Sequence, residues 1–427
     1  MGITRRHLLE LGALAALGAV GPLAGHGRSA EGLLTPLREA ALPLGDPQWR
    51  SWAIGVLWKE LRQAGPTPLI QLTPPFDPGI QLLVKNEARS VTGSLKHRAA
   101  WALLMWGLIG SRIRKDGHLY ERTSGNTGIA EAYFARRLGL PFTAVTAASV
   151  SPLKLDAIRR QGGRVLAAAE GQSVKDFYRQ VLAADPAAYD INQFANAERA
   201  IAYFEGTTAQ SENLANELLL QLQARGLARP DWFVVGAGSG GTATSIGRYI
   251  RKWSPSAGEA TTPKLMVMDP ERSVILDWYL SGDTALRIEA ASRIEGVGTS
   301  GPINFGQTFS LQREVVDRLL KVPDDLTLAG MHLLNNLVGF RVGPSSGLNL
   351  IGALRLACER KAAGLGGSIA TLICDRGDRY ADTYYSPAWV AAKGLNWQAL
   401  AQPLARAWET GQWPDALRVG MSNGLKS

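Results

Sequence analysis

The chain has 427 residues, 46% of them hydrophobic and 19% charged, with 47 glycines and a formal net charge of +9. Those proportions are those of an ordinary globular protein with room for two domains, and they exclude a disordered or collagen-like chain. The arginines and lysines are scattered among acids rather than gathered in a stripe with interleaved aromatics, which argues against a nucleic-acid partner.

The N-terminus reads Thr4-Arg5-Arg6-His7-Leu8-Leu9 and continues through the Gly/Ala-rich apolar run Leu11 to Val20. A twin-arginine region before a mildly apolar stretch predicts an export signal over residues 1–30, and so a periplasmic or secreted protein. Gly27-Arg28-Ser29-Ala30 matches a small-x-small cleavage site only loosely, so an uncleaved signal acting as a membrane anchor is the alternative. No second apolar run is long enough to span a bilayer.

Beyond the signal, strand-like and helix-like segments alternate. Pro66 to Pro78 reads as a loop-rich lead-in, Gln81–Lys85 as a strand, 96–109 as a helix, Leu119–Glu121 as a short strand and Ile129–Leu138 as a helix. Phe142–Val145 and Arg164–Leu166 are strands flanking a helix over 152–161, and Trp232–Val235, Lys264–Met268 and Ile369–Ile373 are later strands. Strands separated by helices predict an α/β fold with parallel-rich twisted sheets and helices on both faces. The expected organisation is an N-terminal domain over 31–205, a C-terminal domain over 206–390 that some N-terminal residues join, and a peripheral tail over 391–427. Cys358, in a helical pattern, and Cys374, at the end of a strand pattern, lack metal-ligand spacing and read as core residues.

Four segments carry chemistry. Lys96, in Thr92-Gly93-Ser94-Leu95-Lys96-His97-Arg98, follows small turn-forming residues and opens an apolar helix, a setting for a Schiff-base lysine held in a cavity. His97 beside it reads as an exposed helix-start histidine, with assistance to proton transfer as the alternative. Thr123-Ser124-Gly125-Asn126-Thr127-Gly128 is a strand-to-helix turn rich in hydroxyls and N–H groups, suited to a carboxylate or to simple helix capping. Gly236-Ala237-Gly238-Ser239-Gly240-Gly241-Thr242 can wrap a phosphate at a helix N-terminus. It also satisfies the dinucleotide pattern G-x-G-x-x-G, with Asp269 as the ribose partner, although Asp269 lies further along than the roughly 20 residues that pattern expects. Gly343-Pro344-Ser345-Ser346-Gly347 opens another apolar helix, where a serine can meet a ring nitrogen or cap the helix.

With these four in order, the chain resembles the cysteine synthase and cystathionine β-synthase family of fold-type-II pyridoxal-phosphate enzymes, from Gly65-Pro66-Thr67-Pro68-Leu69 to Asp375-Arg376-Gly377-Asp378-Arg379-Tyr380. The resemblance implies a homodimer with pyridoxal 5'-phosphate on Lys96, Asn126 at the cofactor's 3-oxygen, Gly238, Ser239, Gly240, Gly241 and Thr242 at its phosphate, and Ser345 at its pyridine nitrogen. Thr123, Ser124, Gly125 and Thr127 would bind the substrate carboxylate with Gln193 close by, and Ile294-Glu295-Gly296-Val297-Gly298 matches the family's substrate-facing loop. The freed Lys96 would take the Cα proton, and a neutral Ser345 favours prompt expulsion of a β leaving group.

Synthases carry Asn-Pro where this chain has Ser90-Val91, and Ala195-Asn196-Ala197-Glu198-Arg199 lacks their proline-containing segment. Ser94 to Arg98, Glu131 to Arg136, Gly247 to Arg251 and Cys374 to Tyr380 are closer to a desulfhydrase-like branch, which releases sulfide from L-cysteine. The expectation is therefore β-elimination on L-cysteine giving sulfide, pyruvate and ammonia. Synthesis of cysteine from O-acetylserine, or cystathionine β-synthase-type replacement, is the near alternative. A nicotinamide-dependent oxidoreductase and a catalytically silent amino-acid binder are the alternatives from other classes.

Overall fold

The computed structural model describes residues 46–425 apart from 124, 204–211, 254–261, 290–291, 302, 305–306, 309 and 419. The expected export signal and Ser124 lie outside the described residues.

The chain begins its sheets with β1 (Leu69–Leu72) and β2 (Ile80–Asn86), an antiparallel pair. It then builds a separate four-stranded sheet from β3 (His118–Arg122), β4 (Phe142–Thr146), β5 (Arg164–Ala167) and β6 (Ala188–Asp190). That sheet is wholly parallel, in the order β5-β4-β3-β6. β7 (Trp232–Gly236) and β8 (Lys264–Pro270) return to the first sheet. β9 (Ile303–Asn304) and β10 (Gln307–Thr308) form a short ribbon, and β11 (Arg318–Val322), β12 (Gly367–Ile373) and β13 (Ser422–Leu425) complete the larger sheet. Its order is β1-β2-β12-β7-β8-β11-β13, with β2, β12, β7, β8 and β11 mutually parallel and an antiparallel strand at each edge.

The central strands are covered on both faces, which is why they read as continuous apolar runs. Along β8, Met266 and Met268 face one core with Ile351 and Leu354, while Leu265 and Val267 face another with Ile246 and Ile250. Such alternation is the period of two that a pleated strand imposes. The helix Pro344–Ala362 lies on the sheet so closely that a Cβ on Gly352 would stand 2.3 Å from Met268 Sδ. A third core, with Leu103, Leu104, Phe134 and Phe142, joins the helices Lys96–Ile109 and Asn126–Leu138 to the smaller sheet.

Two expectations change. The Pro-rich lead-in contains β1, because prolines flank the four strand residues rather than interrupt them and an edge strand tolerates such neighbours. The tail after residue 390 is integrated rather than peripheral: Leu395, Leu404, Ala407, Trp413 and Leu417 are buried in the larger core, and β13 pairs with β11.

Candidate active site

The C-terminal ends of parallel strands and the N-terminal ends of the helices that follow face one cavity of about 740 Å³. Lys96, Thr123, Gly125, Asn126, Thr127 and Gln193 line it from the side of the smaller sheet. Gly238, Ser239, Gly240, Thr242 and Ser345 line it from the larger one, and Gly241 starts the helix Gly241–Trp253 between them. The segments singled out from the sequence, more than 240 residues apart at their extremes, thus meet in one place.

Lys96 is the first residue of its helix, and the turn before it is tied to the strand end opposite. Leu95 N–H donates to the Cys374 carbonyl at 2.7 Å, and Ser94 bridges Asp375. Ser90, which replaces a residue typical of synthases, closes the turn: its hydroxyl donates to the Ser94 carbonyl at 2.7 Å and accepts from Ser94 N–H at 2.9 Å. Behind the helix, Arg98 donates to Glu87 and Glu217, each at 2.8 Å. Burial alone would raise Glu217, but Arg98 and Lys85 hold it down to about 2. Burial lowers the Lys96 amine below the usual lysine range, partly offset by Cys374, Asp375 and Glu131. A neutral amine at the cavity wall is what a nucleophile or base requires.

The Gly-rich turn after β7 needs its glycines. A Cβ on Gly238 would lie 2.6 Å from the Gly296 carbonyl oxygen, and one on Gly240, at φ +87°, would lie 2.3 Å from Leu311 N. Gly236 N–H donates to Asn349 Oδ1 at 2.6 Å, leaving the amides further along the turn at the helix start, where an anion is favoured. Across the cavity, Thr127 Oγ1 donates to Gln193 Oε1 at 2.9 Å, Gln193 N–H donates to Glu121 Oε2 at 2.8 Å, and Thr123 Oγ1 accepts from Gly128 N–H at 3.3 Å.

Several groups were not assigned a role from sequence. Asn126 Nδ2 donates to Asp375 Oδ2 at 2.5 Å, the Arg379 guanidinium donates to Asn126 Oδ1, and the Tyr380 hydroxyl donates to the same Asp375 oxygen. Lys154 donates to the Glu295 carboxylate and lies over the Tyr380 ring at 4.8 Å. Asp375 to Tyr380 and the Ile294 to Gly298 loop were legible as family phrases, but their partners come from distant helices. Cys374 lines the cavity rather than only filling core, with its thiol approached by Asn349 Nδ2 at 3.3 Å and pushed up to about 12 by burial. His97 is not exposed: it is 4% accessible, stacked on Phe134 at 4.7 Å, and burial holds it neutral down to about 4. Asp269, the ribose partner of the dinucleotide alternative, is fully buried and accepts from Leu276 N–H at 3.0 Å, so it cannot reach a ligand in the cavity.

The arrangement fits pyridoxal phosphate. The glycine turn can pack against Gly296 and Leu311 only because side chains are absent, the Lys96 amine shares the cavity with it, and the buried Asp375 Oδ1 and Ser94 Oγ have no hydrogen-bond partner among the described residues. The chain is 38% identical over 354 residues to L-cysteine desulfhydrase Cds1 of Mycobacterium tuberculosis (strain ATCC 25177 / H37Ra), covering 81% of this chain and 92% of that protein. Among solved structures, O-ureido-L-serine synthase superposes with a TM-score of 0.62 at 25% identity, over 78% of this chain and 98% of that one. A hydrogen sulfide-producing enzyme from Fusobacterium nucleatum shares the fold, with a TM-score of 0.61 at 24% identity, over 75% and 97%. Residues 61–375 match the model of the pyridoxal-phosphate dependent enzymes, and it is to that family that this chain belongs.

Proposed function

We propose that the protein eliminates the β substituent of L-cysteine, releasing sulfide, pyruvate and ammonia. The observation that carries this reading is the likeness along 92% of a relative named as an L-cysteine desulfhydrase. The cavity supports it by holding the amine and hydroxyl groups such chemistry uses. Gly238, Ser239, Gly240, Gly241 and Thr242 would hold the cofactor phosphate, Asn126 its 3-oxygen and Ser345 its pyridine nitrogen. When bound, the cofactor supplies the electron sink for the carbanion at Cα.

The protein's own groups do the rest. The hydroxyls of Thr123 and Thr127 and the Gly125 amide would hold the substrate carboxylate, with Ser124 assigned by the resemblance alone and Gln193 orienting Thr127. Lys96, lowered by burial, takes the proton from Cα. Ser345 has no charge with which to keep a ring nitrogen protonated, which favours early departure of the sulfur over a long-lived carbanion.

The deciding experiment compares L-cysteine alone with O-acetylserine plus sulfide on the loaded protein. Sulfide and pyruvate from cysteine alone support elimination; cysteine formed from O-acetylserine with no pyruvate from cysteine would replace this reading with β-replacement. We also propose export through the twin-arginine segment and a homodimeric state. Fractionation after substituting Arg5 and Arg6 by Lys, and sedimentation of the purified protein, test these separately.

A further inference from the structure

Beneath the cavity, β7 and β12 part from each other. They pair from Ile369 opposite Trp232 to Thr371 opposite Val234, and there their ladder stops. Each strand runs on beside its outer neighbour, β12 to Ile373 opposite Asn86 of β2 and β7 to Gly236 opposite Met268 of β8. An opening between the C-terminal ends of parallel strands is where such sheets take ligands. It also interrupts the ladder, and a backbone N–H or C=O buried at the break needs another partner.

Asn349 supplies it. At the last rung the Thr371 hydroxyl donates to the Val234 carbonyl at 2.8 Å. Just beyond, the Asn349 side chain, with 0% exposure, stands between the strands: Oδ1 accepts from Gly236 N–H at 2.6 Å, and Nδ2 donates to the Leu372 carbonyl at 3.0 Å and reaches Cys374 Sγ at 3.3 Å. One side-chain amide thus does for β7 and β12 what a peptide group would do, and holds them spread as well as bridged. Its place on the helix Pro344–Ala362 gives the bridge a use. Asn349 follows Ser345 by four residues, so the two share a face and stand about 6 Å apart along the axis. Ser345 lines the cavity, while Asn349 holds Gly236, from which the glycine turn to Thr242 departs. On its other side the turn is held by Ala237 N–H, which donates to the Met268 carbonyl at 3.1 Å. The link between the turn and the helix that carries Ser345 therefore runs through Asn349.

We infer that Asn349 is a positioning residue for the cofactor, fixing the span between the glycine turn that would take the phosphate and the Ser345 wall that would take the ring nitrogen. The inference rests on the reading of that turn as the phosphate cradle, and not on which substrate is turned over. An apolar side chain at this place would fill the space between the strands but leave Gly236 N–H and the Leu372 carbonyl to seek each other, drawing the opening shut.

The test titrates the cofactor-free enzyme with pyridoxal phosphate and, separately, with pyridoxal, reading the visible absorbance that each gives on binding. The unsubstituted protein should prefer the phosphorylated compound. In Asn349→Ala the turn loses its anchor, so affinity for pyridoxal phosphate should fall by about tenfold more than affinity for pyridoxal, the size of a lost buried hydrogen bond. A merely structural role would weaken both alike. Equal losses, or none, in a protein of native circular dichroism would overturn the inference. Should Asn349→Ala fail to fold, Asn349→Asp and Asn349→Ser are compared: the first keeps an oxygen where Oδ1 stands and the second falls short of it, so the preference for phosphate should survive in the first and shrink in the second. The same preference in both counts against the inference. An unsubstituted protein that takes pyridoxal as tightly as its phosphate would unseat the glycine turn as the cradle, and the inference with it, a failure distinct from a preference that Asn349→Ala leaves intact.

Discussion

The Asn126 side-chain amide donates to Asp375 Oδ2 at 2.5 Å, joining the first helix after β3 to the segment that leaves β12. The bond spans 249 residues of sequence and sets the Asn126 amide at the cavity wall, with the Tyr380 hydroxyl on the same oxygen. Asp375→Ala would leave both donors without their acceptor. A loss of about 1–3 kcal/mol in stability is expected, with weaker cofactor retention, measurable by urea unfolding and by titrating the visible absorbance of the bound cofactor.

Lys154 and Glu295 form a second link across the cavity, and their exposures are unequal: 4% for the lysine side chain and 37% for the glutamate. Glu295→Gln strands a buried ammonium, whereas Lys154→Met frees a carboxylate that can turn to water. The first variant should therefore be the less stable, by about 1–2 kcal/mol, since breaking a fully buried pair costs about 3–5 kcal/mol and this one is partly exposed. Equal melting temperatures for the two would contradict the asymmetry.

Gly240→Ala places a Cβ 2.3 Å from Leu311 N at a backbone angle of +87°. Both the angle and the contact oppose it, so the turn must open. Retention of pyridoxal phosphate through gel filtration should fall much further than the melting temperature of the cofactor-free protein, because the affected amides are those of the cradle.

Stability should fall with rising pH between 6.5 and 8. Burial, with Asp190, pushes Glu121 from 4.5 up to about 8, so the folded state binds the extra proton across that window and loses the advantage as pH climbs. The opposing groups, His97 and His332, are held down to about 4 from 6.5, and their contribution rises with pH but is complete above 6.5. A single such carboxyl gives a slope of about 1.4 kcal/mol per pH unit. Glu121→Gln should flatten the dependence of the urea midpoint on pH in this window by about that amount.

Both thiols should react slowly in the folded protein. Burial pushes Cys358 and Cys374 up to about 12, so the thiolate is scarce at pH 8. Alkylation followed by mass spectrometry should find both intact until denaturant is added, although Cys374 lines the cavity.

What could be read from the sequence was local. The turn before Lys96, the hydroxyl-rich turn at Thr123 and the glycines at 236–241 each announce a helix start that meets a ligand, because spacing within a few residues decides the backbone there. The pairings Asn126 with Asp375 and Lys154 with Glu295 have no such signature, since each half looks like an ordinary polar residue until the sheets bring them together. His97 was misplaced for the same reason: a helix start is solvent-facing by default, and only packing against Phe134 makes it core. The integrated tail did carry a signal, in the helical spacing of Leu400, Leu404 and Ala407, of which Leu404 and Ala407 are buried.

β13 is four residues long, and its pairing with β11 runs from Ser422 to Leu425. A chain ending at residue 420 would bare the backbone of β11, a flat row of unsatisfied donors and acceptors that can recruit another chain. The last few residues thus act as a guard on solubility, and trimming them for convenience in expression invites self-association even though they lie on the far edge of the sheet from β1.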